Sequence, residues 1–252
     1  SGTLTQTLYL LLSLSLFFVV APIARRPGGA RLLLRAGLAG CAANVALGLI
    51  DALGKASGAG DLLEPFRTAA YALLTNVQEG GFFRIVGGFS EASSFAGFSL
   101  ACLAFAYGCW RVSGARFAQA LWLVQFGLLA LSTSSTAYAG LAVLLATEAA
   151  RLTLAGLRGR ATRVDFAVSL GAWAGAVAAL AIGIWAADWA QPYLDLLDKM
   201  LLDKAASESG LERMRWNQLS LDGFFATSGL GLGMGSSRAS SWAAATLSQL
   251  GV

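Results

Sequence analysis

Four arginines, one glutamate and a ladder of glycines are the residues of this chain whose chemistry reaches beyond packing. They are Arg84, Arg213, Arg215, Arg238, Glu91, and Gly229, Gly231, Gly233 and Gly235. A guanidinium presents a planar fork of N–H donors that fits phosphate and pyrophosphate oxygens better than a lysine ammonium does. A carboxylate beside such a fork can orient or deprotonate a hydroxyl. A glycine loop running into a helix start can offer backbone N–H groups to an anion. All of these residues fall in two polar stretches, roughly 54–92 and 188–238.

Hydrophobic segments must position those stretches. Of the 252 residues, 56% are hydrophobic and only 13% charged, against about 25% charged in soluble domains. The mean hydropathy is +0.64. The composition predicts an all-α, polytopic integral-membrane protein forming a single domain over 1–252, because only helices or closed barrels cross lipid. Runs of about 20 apolar residues place six spans at roughly 4–24, 32–53, 93–112, 115–134, 136–155 and 166–187. A seventh is expected to begin near Ser240, and with no initiator methionine the chain reads as a fragment of a longer one. The first segment has no basic leading region and is too long for a signal peptide, so it reads as a true span.

Lysine and arginine set the orientation. The turns after spans one, three and five hold Arg25, Arg26, Arg31, Arg35, Arg111, Arg116, Arg151, Arg158, Arg160 and Arg163, against Glu148 and Asp165. That leaves eight of the 18 basic and 12 of the 14 acidic residues on the other side. The first side is therefore expected in the cytoplasm, and both polar stretches become periplasmic loops. The net charge of +4 divides into +8 inside and −4 outside, which gives no reason to expect nucleic acid as a partner. Cys41, Cys102 and Cys109 lie within spans and there is no histidine. Neither a metal site nor a cofactor is expected, and the cysteines read as small packing residues. Ala36 with Gly40, and Gly171 with Gly175, read as small-residue pairs for close helix packing.

Within the first loop, Asp61 is placed to cap a short surface helix running to Asn76; within the second, residues 193–206 read as an amphipathic interfacial helix with an Asp195–Lys199 pair. Glu91 falls at the entrance of span three. There it is either a helix cap favoured by the macrodipole or, beside hydrocarbon and within reach of Arg84, a functional carboxylate. The hydroxyl run Ser132–Thr136 with Tyr138 lies between spans four and five. It either satisfies a tight membrane hairpin or lines an outward cavity through Ser135 and Tyr138. The glycine run Gly229–Gly235 with Ser236 and Arg238 is a poor nucleotide motif, lacking Gly-Lys-Ser/Thr and a preceding strand. It suits an anion cradle better.

In these residues the chain resembles the O-antigen polymerase and ligase family of bacterial envelope glycosyltransferases. The resemblance rests on Arg84 with the Gly88-Phe89-Ser90-Glu91-Ala92-Ser93 box, the Leu131–Gly140 hydroxyl run, and Gly231-Leu232-Gly233-Met234-Gly235-Ser236 leading into a final helix. It implies a metal-independent enzyme of the bacterial inner membrane that uses undecaprenyl-pyrophosphate-linked glycans at the periplasmic face, with a chain-length regulator as a further partner of such enzymes. Glu91, Arg215 and Arg238 would be catalytic. Arg84, Arg213, Ser135, Tyr138, Gly233, Gly235 and Ser236 would bind substrate. Ser240-Ser241 stands where ligases of the family carry histidine, and Thr136 where many members carry arginine. Both departures favour a polysaccharide polymerase over a ligase. A lipid-glycan transporter is the rival from another class; it would need ionisable residues near mid-membrane, where only Glu148 comes close.

Overall fold

The computed structural model describes residues 2–59, 61–66, 78–79, 82–171 and 208–251. Apart from one short ladder, the regular structure among them is helical. The helices α1 (Gly2–Arg25), α2 (Gly29–Ala56), α3 (Ala92–Ser113) and α5 (Ser135–Leu157) are each long and apolar enough to cross a membrane. The apolar helix α4 (Arg116–Leu131) has 16 residues, about 24 Å at 1.5 Å per residue, short of a hydrocarbon core about 30 Å thick. Its ends are fixed locally. Gly114, in the left-handed region at φ 66°, closes α3 with its N–H donating to Trp110 O, and the hydroxyl hairpin begins at Ser132.

Four full-length spans are thus described where six to seven were expected. The expected sixth span is helical over residues 163–171, and its remainder lies outside the described residues. Where a seventh was expected to begin, near Ser240, Trp242–Leu250 forms a nine-residue helix. Asp61 Oδ1 accepts the Leu63 N–H at 3.1 Å, an Asx turn, and it is followed among the described residues by a 3₁₀ turn at Glu64–Phe66. The rest of that expected surface helix and the whole of 193–206 lie outside the described residues. Gln78–Glu79 (β1) pairs antiparallel with Phe82–Phe83 (β2) in a minimal ladder.

The chain divides into two compact units, Leu34–Leu201 and Ser1–Leu33 with Leu202–Val252. In the first, α3, α4 and α5 run up, down and up. Contacts at matching depths show α3 and α5 parallel: Leu100 packs on Gly140, and Tyr107 donates to Glu148. The core joins Phe95, Cys102 and Ala106 of α3 to Cys41 and Val45 of α2 and to Leu121 and Leu128 of α4. A second cluster joins Ala96 and Leu103 to Leu129, Ala137 and Leu141.

Helix α2 is built inside out. Its buried stripe is Cys41, Asn44, Val45, Gly48, Asp51 and Lys55, while Leu47, Leu49, Ile50 and Leu53 are exposed. The stripe follows the three-and-four spacing of one helix face. Polar atoms inward and alkyl groups outward is the arrangement lipid demands and water forbids. Asn44 Nδ2 donates to Ser99 Oγ at 2.9 Å and to Gln125 Oε1 at 3.1 Å, which ties three helices together. The close approach uses Gly37, where a Cβ would lie 2.6 Å from the Phe105 ring, and Gly48, where one would lie 2.8 Å from Leu128. It does not use the Ala36–Gly40 pair expected from sequence: both are exposed and a Cβ at Gly40 meets nothing within 4 Å. A Cβ at Gly171 meets none of the described residues within 4 Å, and Gly175 lies outside the described residues.

In the second unit, α6 (Glu208–Ala226) and α7 (Trp242–Leu250) pack together across the glycine run. Helix α6 ends in a Schellman-type stop. Ser228 takes the left-handed conformation at φ 53°, and Gly229 N donates to Phe224 O at 3.0 Å.

Candidate functional site

Glu91 occupies the N-cap position of α3 with extended backbone, and its main-chain oxygen accepts the Phe95 N–H at 3.2 Å. Its carboxylate does not cap the helix. Instead Oε1 accepts the hydroxyls of Ser93 at 2.6 Å and Ser94 at 3.0 Å. The group is half-buried. Its place at the start of α3 leaves it at one end of the packed helices.

The loop leading to Glu91 is anchored from α2. Asp51 is 1% exposed, and its Oδ2 accepts Lys55 Nζ at 2.9 Å, Val86 N at 2.8 Å and Gly87 N at 3.1 Å. Lys55 Nζ also donates to Arg84 O at 2.7 Å. Arg84 is thus fixed at its main chain, while its side chain is half-buried. The sequence leaves Asp51 unmarked and puts Lys55 at the head of a flexible linker over 55–60, whereas Lys55 is buried in the last turn of α2. The signal was present, as an i, i+4 Asp–Lys pair in the last turns of an otherwise apolar helix.

The hydroxyl hairpin lies at the same end of this unit as Glu91, because Ala96 shares a packed cluster with Leu129 and Ala137. Ser132, Thr133 and Ser134 are fully buried. Ser132 Oγ donates to Leu129 O at 2.7 Å. Tyr138 OH donates to Ala130 O at 2.9 Å, bracing the start of α5 against the end of α4. These bonds are those of a tight hairpin. Two features exceed that need. Thr133 is β-branched yet sits at φ 44°, a costly conformation for such a side chain, and its buried Oγ1 has no partner among the described residues. Ser135 and Tyr138 are half-buried in the first turn of α5.

In the other unit, Gly229, Gly231, Gly233 and Gly235 all take positive φ, between 76° and 93°. At Gly231 glycine is also required by space, since a Cβ would lie 2.7 Å from Gly251 N. The run's N–H groups point inward. Gly231 N donates to Thr227 Oγ1, Leu232 N to Ser248 O, Gly233 N to Gln249 O and Gly235 N to Gln249 Oε1, all within 3.1 Å. Ser236 Oγ donates to Gly233 O. The backbone cradle expected from the sequence is therefore already filled by the chain itself. What the loop presents is Arg238, exposed, with its guanidinium 3.9 Å from the centroid of Trp216. Asn217 Oδ1 accepts both Ser240 N and Ser241 N at 2.9 Å, which fixes the start of α7 beside that stack. Arg215 is exposed and Arg213 half-buried on α6.

At the opposite end of the first unit lies a charge network that the sequence showed only as a charge count. Arg151 binds Glu148 through two 2.7 Å bonds and reaches Asp165 at 2.5 Å. Arg111 also binds Asp165, and Tyr107 donates to Glu148. Asp165 further accepts Thr162 N at 2.7 Å and Thr162 Oγ1 at 2.8 Å. The Thr162 amide, then Arg151 and Arg111, hold its carboxyl well below the usual carboxylate range. Two arginines against two carboxylates make the network neutral, as a lock between α3, α5 and the next helix should be.

These features describe a helical protein with four helices long and apolar enough to cross a membrane, and with a half-buried carboxylate at one end of its packed helices. Set against known proteins, the chain matches no family model, no curated protein and no solved structure.

Proposed function

We propose that the chain is a membrane polysaccharide polymerase. In this reading it transfers a growing glycan from undecaprenyl pyrophosphate to the next lipid-linked repeat unit, at the periplasmic face of a bacterial inner membrane. The observation that carries the reading furthest is Glu91: an aligned carboxylate at the membrane-side start of a helix, gripped by Ser93 and Ser94. Glu91 takes the proton of the acceptor hydroxyl, whose oxygen attacks the anomeric carbon. The bond from that carbon to the pyrophosphate oxygen breaks, and undecaprenyl pyrophosphate leaves with the electron pair. Arg215 and Arg238 meet the departing charge, a task that fixed cations perform best where water is scarce. Stacking on Trp216 supports that role for Arg238, because it limits the rotamers the guanidinium must give up on binding. Substrate binding is assigned to Arg84, Arg213, Ser135 and Tyr138, and Gly233, Gly235 and Ser236 shape the loop that holds Arg238.

The test is complementation of a strain lacking the gene, read as polymer length and yield. Glu91→Gln and Arg238→Ala should each reduce polymer by about a hundredfold or more, the usual effect of removing one group that stabilises a transition state. Wild-type polymer from both variants at equal expression would overturn the reading.

A further inference from the structure

We infer that the buried Asp51–Lys55 pair is a positioning device for that reaction, holding the Arg84–Gly87 backbone so that Arg84 and Glu91 keep a fixed separation. The inference rests on the polymerase reading of Glu91. A buried ion pair is weak support for stability, since apolar residues of the same volume often do as well. What apolar residues cannot do is bond the loop. Asp51 supplies one acceptor oxygen to two consecutive loop N–H groups, and Lys55 supplies the donor for the Arg84 carbonyl. Both side chains are at most 4% exposed, so water does not compete for these bonds. The anchor ends at Gly87, and Glu91 starts α3 four residues later. Between them, Phe89 N donates to Val86 O at 3.0 Å, a turn that carries the anchored geometry forward. Phe95 packs over Gly87 from α3 and closes the segment from its other side.

The test uses the full chain in lipid nanodiscs, with an undecaprenyl-pyrophosphate-linked repeat oligosaccharide as donor and acceptor. Asp51→Asn removes the charge that the loop amides bind. Amide exchange at Val86 and Gly87 should then quicken about tenfold or more, with exchange in α3 and α4 unchanged. The turnover number should fall about tenfold or more while KM changes little, because the substrate contacts remain but their alignment is lost. Lys55→Met should raise exchange less, since it removes only the Arg84 carbonyl contact from the loop. The double variant Asp51→Asn/Lys55→Met leaves no uncompensated buried charge, so it keeps the measurement possible if the single variants fail to fold. Unchanged exchange at Val86 and Gly87 would overturn the positioning role. So would faster exchange with full turnover. Absence of any transfer by the wild-type protein would instead sink the polymerase reading, and the exchange result would still report on the anchor.

Discussion

The ring of Phe95 occupies the space that a side chain at Gly87 would need. A Cβ built on Gly87 would lie 2.9 Å from the ring, and the residue sits at φ 54°. Two separate penalties therefore meet at one position: a left-handed backbone, about 1–2 kcal/mol for any residue with a Cβ, and overpacking, about 1–3 kcal/mol.

Gly58 separates them. It has φ 73° and nothing within 4 Å of its missing Cβ. Gly58→Ala should lower stability by the backbone penalty alone, about 1–2 kcal/mol. Gly87→Ala should lose about 2–5 kcal/mol. Thermal unfolding of the two variants in one detergent checks the difference, and equal losses would show that Phe95 yields freely.

A second prediction concerns the triad of Asn44, Ser99 and Gln125. Interhelical polar contacts in lipid contribute about 0.6–2 kcal/mol, so Asn44→Leu should destabilise by about that much and leave Ser99 and Gln125 facing apolar carbon. The triple change Asn44→Leu/Ser99→Ala/Gln125→Leu should lose less than Asn44→Leu alone, since no buried polar group is then stranded. Denaturant titration in mixed micelles measures both. A triple variant worse than the single would mean that packing, not hydrogen bonding, governs this site.

These residues also show what the sequence could and could not reveal. Four of the spans are legible because lipid leaves few alternatives to a helix, and Glu91 at a helix start is legible from the box around it. The inward face of α2 is not. Hydropathy ranks Asn44, Asp51 and Lys55 as outward-facing, and small residues mark two faces of that helix, of which the structure uses the one through Gly37 and Gly48. The glycine run foretells positive φ but not where its N–H groups point. Two of their partners are the Thr227 hydroxyl and the Gln249 side chain, and two are main-chain oxygens of Ser248 and Gln249; a carbonyl leaves no trace in residue type. Arg111, Arg151 and Asp165 are visible only as charges near one side of the membrane until the parallel packing of α3 and α5 brings them together.

Asp165 predicts a pH dependence. Its carboxyl titrates below its unfolded value of about 3.9, held there by the Thr162 amide, Arg151, Arg111 and the Thr162 hydroxyl. Its contribution is therefore complete at neutral pH, starts to fade as pH falls below about 4, and disappears below the folded value. Wild-type protein should unfold at a higher temperature than Asp165→Asn at pH 7 and at pH 5, with the gap narrowing below pH 4. A gap that stays constant down to pH 3 would count against the network.

Gln249 offers a local test of the glycine loop. Its side chain accepts Gly235 N at 2.9 Å and donates to Ser237 O at 3.0 Å. Gln249→Ala should speed amide exchange at Gly235 by about three- to tenfold. Leu232 and Gly233, whose N–H groups bond main-chain oxygens of Ser248 and Gln249, should be unaffected. If exchange rises across the whole run, the loop is one cooperative unit and not a set of separate bonds.

The inward polar stripe of α2 has a consequence for biogenesis. Asn44 leaves the ribosome 55 residues ahead of Ser99 and 81 ahead of Gln125, and Asp51 emerges 35 ahead of Val86. Until those later segments are synthesised, the Asn44 amide lacks its partners and the Asp51–Lys55 pair lacks the loop groups it binds, so α2 should linger at the translocation channel and move into lipid only with α3 and α4 alongside. Nascent chains arrested before Ala118 should still crosslink α2 to the channel, and those arrested well past Leu131 should not.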